Sequence, residues 1–335
     1  MLTPKENLLK VYHHEIPEYI PDIWQDTFNW WIDEVIERGP VKDNPLGGEG
    51  ADWFGVHWRY IETARASTPD PDYPHVMTDI TQWKEQVQFP DLDAIDWAAA
   101  WERDKNNPNY DPDKLVSTTF LNGPFERLHA LMGMEDALVA LMLEPEACRE
   151  FFDAMVDFKI SLLDHIMEYY PIDLLEAHDD YGHQTNLFMP IETWRELLME
   201  PMSRLAAHCK EKGIIFRLHS CGKNETLIPS IVEAGIENWS SVQQINDIAK
   251  ILTEFGDRLT LQGGGSNFFN YPCPTEELTE DIARAVLNDQ LFRFCRGGAF
   301  IPGVRNPEIF DIYCKMKEEY KDFYKDPANC EFKFD

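Results

Sequence analysis

A chain of 335 residues that is 44% hydrophobic and 13% aromatic has the apolar material for a large core, which excludes a disordered chain. Sixty acidic residues against thirty basic ones leave a formal net charge of −30. Such a surface repels phosphate backbones and anionic lipid, so neither nucleic acid nor membrane is expected as a partner.

The opening stretch MLTPKENLLKVYHHEIPEYIP has no uninterrupted apolar run, and no long apolar span follows. A cytoplasmic protein is therefore expected. Seven cysteines, an odd number, fit reduced thiols better than a disulfide frame.

Residues 1–110 are rich in Trp, Pro and Asp with little clean periodicity, and are read as an elaboration within one domain spanning 1–335. YIPDIWQD is a first strand candidate, GGEGADWFGVHWRY a loop leading into an aromatic strand, and DKNNPNYDPDK an exposed polar linker. From Leu115 apolar runs and amphipathic segments alternate. LVSTTFLNG reads as a strand with a helix starting near Phe125. Phe151, Met155, Phe158, Leu162 and Ile166 then mark a buried helix face. IDLLEAHDDYG, IIFRLHSCG, IENWSSVQ, LTLQGGGS and RFCRGGAFIPG follow as strand candidates separated by helical segments. This alternation predicts parallel strands with crossover helices. The GxGxxG fingerprint of a doubly wound dinucleotide fold is missing. The expectation is an α/β fold, a single (β/α)8 TIM barrel with polar residues gathered at the C-terminal strand ends.

In RLHSCG, His219 and Cys221 are two apart, so a strand would aim an imidazole and a thiolate the same way. That is half of a zinc site; the bland reading is a buried cysteine and a satisfied core histidine. Three ligands and one open position make a catalytic zinc. The best third ligand is Cys295, opening CRGGAFIPG, with Cys273 as competitor. Cys148, Cys209 and Cys314 fall inside helical patterns as packing residues, and Cys330 is in the tail.

EAHDDYGHQ places Asp179 and Asp180 at a strand end with Glu176 just upstream. These carboxylates could orient substrate, act as general acid, or supply a further zinc ligand. Helix capping is the alternative. His178 and His183 are read as spectators. In NGPFERL, Asn122 and Phe125 could wall a substrate pocket; the plain alternative is a helix entry with Glu126 and Arg127 exposed. The tryptophans of NWW and DWFGVHW could floor an aromatic site or simply be core.

The run from Glu176 to Gln243, with NGPFERLHALMGMEDALVALMLEPE upstream and GGGSNF and CRGGAFIPGVRNPEIF downstream, resembles the uroporphyrinogen decarboxylase superfamily, in its zinc-dependent corrinoid methyltransferase branch. The resemblance implies a (β/α)8 barrel and an HxC…C zinc motif falling on His219, Cys221 and Cys295. It also places Asp179 and Asp180 beside the pocket, with Tyr181 and Gln184 nearby.

It further implies a bound Zn2+, a small methylated substrate, and a separate corrinoid protein whose cobalt gains or gives the methyl group. No DxHxxG corrinoid motif occurs in the chain itself. The arginine-rich N-terminal segment of the decarboxylases is also missing, with Arg38 and Arg59 standing alone. The aromatic N-terminal region favours a methoxylated aromatic donor and O-demethylation. The alternatives are a decarboxylase-like lyase, a methylcobamide:thiol methyltransferase running the opposite half-reaction, and a non-catalytic zinc-bearing barrel that binds its corrinoid partner. A homo-oligomer is compatible with all of them.

Overall fold

The protein is described from a computed structural model covering residues 2–38, 48–62, 66–263, 279–304 and 306–334. Cys273 and most of GGGSNF lie outside the described residues. In chain order the strands are β1 (Thr27–Trp30), β2 (Gly50–Ala51), β3 (His57–Ile61), β4 (Ala66–Pro69), β5 (Leu115–Phe120), β6 (Leu174–His178), β7 (Ile215–His219), β8 (Asn238–Val242), β9 (Thr260–Gly263) and β10 (Phe300–Pro302).

β2, β3 and β4 form a small antiparallel sheet inside the N-terminal elaboration. The other seven make one parallel sheet in the order β1-β5-β6-β7-β8-β9-β10. Each of these strands therefore lies beside its successor in chain order within the sheet. A doubly wound sheet would reverse direction part-way, whereas this one winds one way, as a barrel wall does. The strands are nearly all buried, as a parallel sheet covered by helices requires. The helices Pro145–Met167 and Met199–Glu211 pack on its outside.

The expectation of eight strands is met only in part. Seven strands stand in the sheet among the described residues, and no ladder joins β10 to β1. The two edges nevertheless approach: the Ile23 amide, just before β1, donates to the Pro302 carbonyl at 3.2 Å. YIPDIWQD is not a strand; β1 begins one residue beyond it, at Thr27.

The first helix, Pro4–Tyr12, closes the N-terminal end of the curled sheet. Thr3 and Glu6 form a reciprocal capping box, so the helix begins with its orphan amides satisfied. Its Leu8, Val11 and Tyr12 pack in one cluster with Leu115 of β5, Leu174 of β6 and Ile301 of β10. Thr260 Oγ1 of β9 donates to the Val11 carbonyl at 3.1 Å. Access to the interior is thereby left to the opposite, C-terminal rim.

Candidate metal centre

Parallel register sets the donors side by side. β6 and β7 pair Glu176 with Arg217 and His178 with His219, and β7 pairs His219 with Ser240 of β8. Alternation along each strand puts all five on one face. Glu176 is the hub of this row. It accepts from Arg217 Nε at 2.7 Å and Ser240 Oγ at 2.9 Å, and lies 3.2 Å from His178 Nε2. Burial opposes its charge, but Arg217, then His178 and His219, hold Glu176 well below the usual carboxylate range. His178 and His219 stack face to face, ring centroids 3.7 Å apart and planes within 4°.

The next residues leave the strands together. Gly222 has φ +82°, and a Cβ there would sit 2.3 Å from the Gly182 backbone. A Cβ on Gly182 would in turn meet the Lys223 nitrogen at 2.8 Å. The two glycines that end DDYG and SCG therefore let two loops touch through bare backbone. That approach allows the Cys221 amide to donate to Asp180 Oδ1 at 2.7 Å and the Tyr181 amide to Ser220 Oγ at 2.9 Å. Gly222→Ala, strained by its φ and blocked by backbone, should cost about 1–3 kcal/mol in chemical denaturation. It should also loosen Asp180 from Cys221.

Cys221 Sγ lies 3.5 Å from His219 Nε2. A tetrahedral zinc with bonds of about 2.3 Å to sulfur and about 2.0 Å to imidazole nitrogen separates those donors by about 3.5 Å. Asp180 brings a carboxylate oxygen into the same group, with the donor atoms of Asp180, His219 and Cys221 all within 4.8 Å of one another. Glu176, His178 and His219 form a second such group. His219 Nδ1 faces Glu176 Oε1 at 3.9 Å, the orientation in which a carboxylate steadies a metal-binding imidazole.

The electrostatics agree with a cation here. Burial, and then its neighbour His178, lowers His219 to about 3, leaving a neutral ring with a lone pair to give. Burial and Asp180 push the Cys221 thiol up, and burial and Glu126 raise Asp180 to about 6. A bound cation would relieve both of these groups.

Other expected residues are placed differently. Cys295 is fully buried in a 3-10 turn, Phe292–Gly298, that precedes β10. It therefore sits toward the N-terminal end of the last strand, with Sγ 3.7 Å from the Leu291 carbonyl. Cys295 is not brought to His219 and Cys221, and the described residues just beyond β10 are Gly303, Val304 and Asn306, none a thiol. Asp179 is used for capping: it accepts from the amides of Phe125 and Glu126 at the start of helix Pro124–Met132 and from Tyr181 Oη at 2.6 Å. Phe125 and Tyr181 are fully buried, and Gln184 is exposed on the turn beyond.

Asn122, in left-handed backbone at φ +54°, joins the rim. It accepts from Arg38 Nε at 2.8 Å, and Arg38 also reaches Glu126 Oε2 at 2.7 Å.

Three residues beyond the sequence reading complete the mouth. His178, expected to be a spectator, stands in the donor row, stacked on His219. Glu126 is buried, not exposed; burial opposes its charge, but Arg38, His178, His129 and His219 draw it down to about 2. Ser241, the residue of a β8 bulge, places its hydroxyl 3.0 Å from Cys221 Sγ. Period-two alternation hides a bulge, so no sequence signal marked Ser241. Most of the tryptophans are core, with Trp30 and Trp58 each under 5% exposed, although Trp31 is 39% exposed.

A profile for uroporphyrinogen decarboxylase (URO-D) matches residues 110–293, more than half of the chain. The chain belongs to the URO-D family. The URO-D match contains β5 to β9 and hence every donor of both groups. Among solved structures, a methyltransferase from Methanosarcina mazei superposes with a TM-score of 0.65 at 15% identity. That match covers 97% of this chain and 100% of the other, a likeness of fold. An L-ribulose 3-epimerase (TM-score 0.34, 12% identity, 66% of this chain and 81% of that one) is far more distant. So is a D-allulose 3-epimerase from Methylomonas sp. (0.32, 14%, 76% and 94%). No curated protein sequence matches the chain. Among the described residues, no helix is long and apolar enough to cross a membrane.

Proposed function

We propose that this URO-D family protein is a zinc-dependent methyltransferase, moving a methyl group between a small methyl donor and the cobalt of a separate corrinoid protein. The observation that carries this reading is the imidazole–sulfur pair, His219 Nε2 and Cys221 Sγ at 3.5 Å, at the C-terminal rim of the curled sheet. Asp180 stands within ligand reach of both. Mixed nitrogen, sulfur and oxygen donors suit zinc over magnesium or calcium. The shared fold of the M. mazei methyltransferase supports the transfer reaction as well.

Zinc bound there would supply Lewis acidity to the oxygen or sulfur that carries or receives the methyl group. Glu176 faces the His219 ring at 3.9 Å, and Arg217 and Ser240 hold Glu176. Arg38 and Glu126 flank the opening, with Arg38 5.7 Å from the Trp58 ring. A methoxylated aromatic is the donor class we favour, on the aromatic wealth of the N-terminal region. A decarboxylase acting on a polyanionic tetrapyrrole has less support. Arg38 is already engaged by Asn122 and Glu126, and the mouth carries the carboxylates of Glu126 and Asp180.

The test supplies the full chain, zinc and a reduced corrinoid protein to a panel of methoxylated aromatics. Appearance of methylated corrinoid together with the free phenol supports O-demethylation. Methylation of an added thiol by a methylated corrinoid would assign the reverse direction. Neither reaction, in a protein holding one zinc per chain, would sink the methyltransferase reading.

Metal affinity should fall as the pH is lowered, because the raised Cys221 thiol must lose its proton to bind, and more steeply below about 6, where Asp180 also takes up a proton. Zinc titrations between pH 5 and pH 8 check this, and Asp180→Asn should remove the steeper part.

A further inference from the structure

β8 is interrupted at one residue. Its pairing with β9 runs Asn238 to Thr260, Trp239 to Leu261 and Ser240 to Gln262, then skips to Val242 opposite Gly263. Ser241 is the extra residue. Its backbone is in the left-handed region at φ 64°, a conformation that costs a non-glycine residue energy. The partner strand is shaped around it. A Cβ on Gly263 would lie 2.4 Å from the Val242 carbonyl oxygen, so only glycine lets the strands close over the bulge.

The result is one re-aimed side chain. Ser241 would otherwise alternate away from Ser240 and the donor row. Instead its hydroxyl lies 3.0 Å from Cys221 Sγ, and Ser241 is 8% exposed. Bulges commonly re-aim a side chain beside an active site. Here the bulge brings a hydroxyl against the one sulfur in the donor group.

We propose that Ser241 is a positioning residue for the metal-bound sulfur. Its hydroxyl donates to Cys221 Sγ, fixes which sulfur lone pair faces the metal, and draws charge off the sulfur, leaving the ion a stronger Lewis acid. This inference rests on the metal reading above. It adds an oxygen donor outside the ligand set, supplied by a neighbouring strand.

The test uses the full chain loaded with Co2+ in place of zinc, which makes the thiolate bond visible as a near-ultraviolet sulfur-to-cobalt charge-transfer band. Loss of a hydrogen bond raises the energy of the sulfur lone pairs. Ser241→Ala and Ser241→Gly should therefore both move the band to longer wavelength and weaken Co2+ binding about tenfold to a hundredfold. The glycine variant also relieves the left-handed backbone. A matching shift in both variants, with Ser241→Gly no less stable than wild type, ties the effect to the hydroxyl. An unchanged band in both overturns the role of Ser241 while leaving the metal reading standing. Absence of any such band in the wild-type protein overturns the metal reading, and this proposal with it.

Discussion

Replacing Cys221 with alanine should abolish methyl transfer and lower zinc affinity by more than about a hundredfold, with the far-ultraviolet circular dichroism unchanged. Changes to residues that merely support a metal ligand cost about 10- to 100-fold, so loss of the sulfur itself should exceed that. The side chain is half-buried, and its neighbours are polar: His219 Nε2, Ser241 Oγ and the Asp180 carboxylate. Metal analysis of the purified variant beside an activity assay checks both parts. Retention of a full equivalent of tightly bound zinc would show that Glu176, His178 and His219 suffice and that the sulfur is not a ligand. His219→Ala should be at least as damaging, because His219 belongs to both donor groups.

The largest loss of stability is expected at a buried ion pair outside the donor groups. Asp52→Ala should cost about 3–5 kcal/mol, read from the denaturation midpoint, because it strands the Arg127 guanidinium in the core. Both side chains are wholly inaccessible, and Asp52 Oδ2 also accepts from Trp58 Nε1 at 2.9 Å. Its Oδ1 accepts from the amides of Phe54 and Val56, fixing the turn before β3. Arg127 continues to the Glu37 carbonyl at 2.9 Å, and the Glu37 carboxylate pairs with Lys159. Glu37 Oε2 also accepts from the Leu121 amide at 2.6 Å. This buried network clamps residues 37 and 38 against the end of β5, which is where Arg38 meets Asn122 and Glu126. Asp52→Asn, which keeps an acceptor, should be milder, and a double change of Asp52 and Arg127 to apolar residues milder than Asp52→Ala alone.

The juxtaposition of His219 and Cys221 was legible because a strand needs only period two, and His219 does end β7. The parallel strands were likewise readable from alternation, while the choice against a doubly wound sheet leaned on the missing GxGxxG fingerprint. Cys295 misled for a directional reason. Its apolar neighbours suggest a strand running through it, whereas Phe292–Gly298 coils and β10 starts only at Phe300. A residue before a parallel strand belongs to the opposite rim from one after it.

Glu126 and Arg127 looked exposed because helix Pro124–Met132 is buried on nearly every side, and no amphipathic stripe announces that. The partner that accommodates Arg127 lies 75 positions upstream, in a segment without periodicity. Asp179 and Asp180, adjacent in sequence, divide between a helix start and the mouth. That division depends on Gly123, where a Cβ would collide with Asp179 at 2.6 Å.

The helix at residues 4–12 has a kinetic consequence. Its seat is built from Leu115, Leu174, Thr260 and Ile301, residues contributed by strands up to the last in the sheet. This helix can therefore dock fully only after the strands that follow it, β10 included, have been made. Contacts of such sequence separation form slowly, and until they do the apolar interior is open at its lower end. The capping box of Thr3 and Glu6 lets the helix hold some local order through that wait, so that its late arrival closes the end of the curled sheet with a preformed piece.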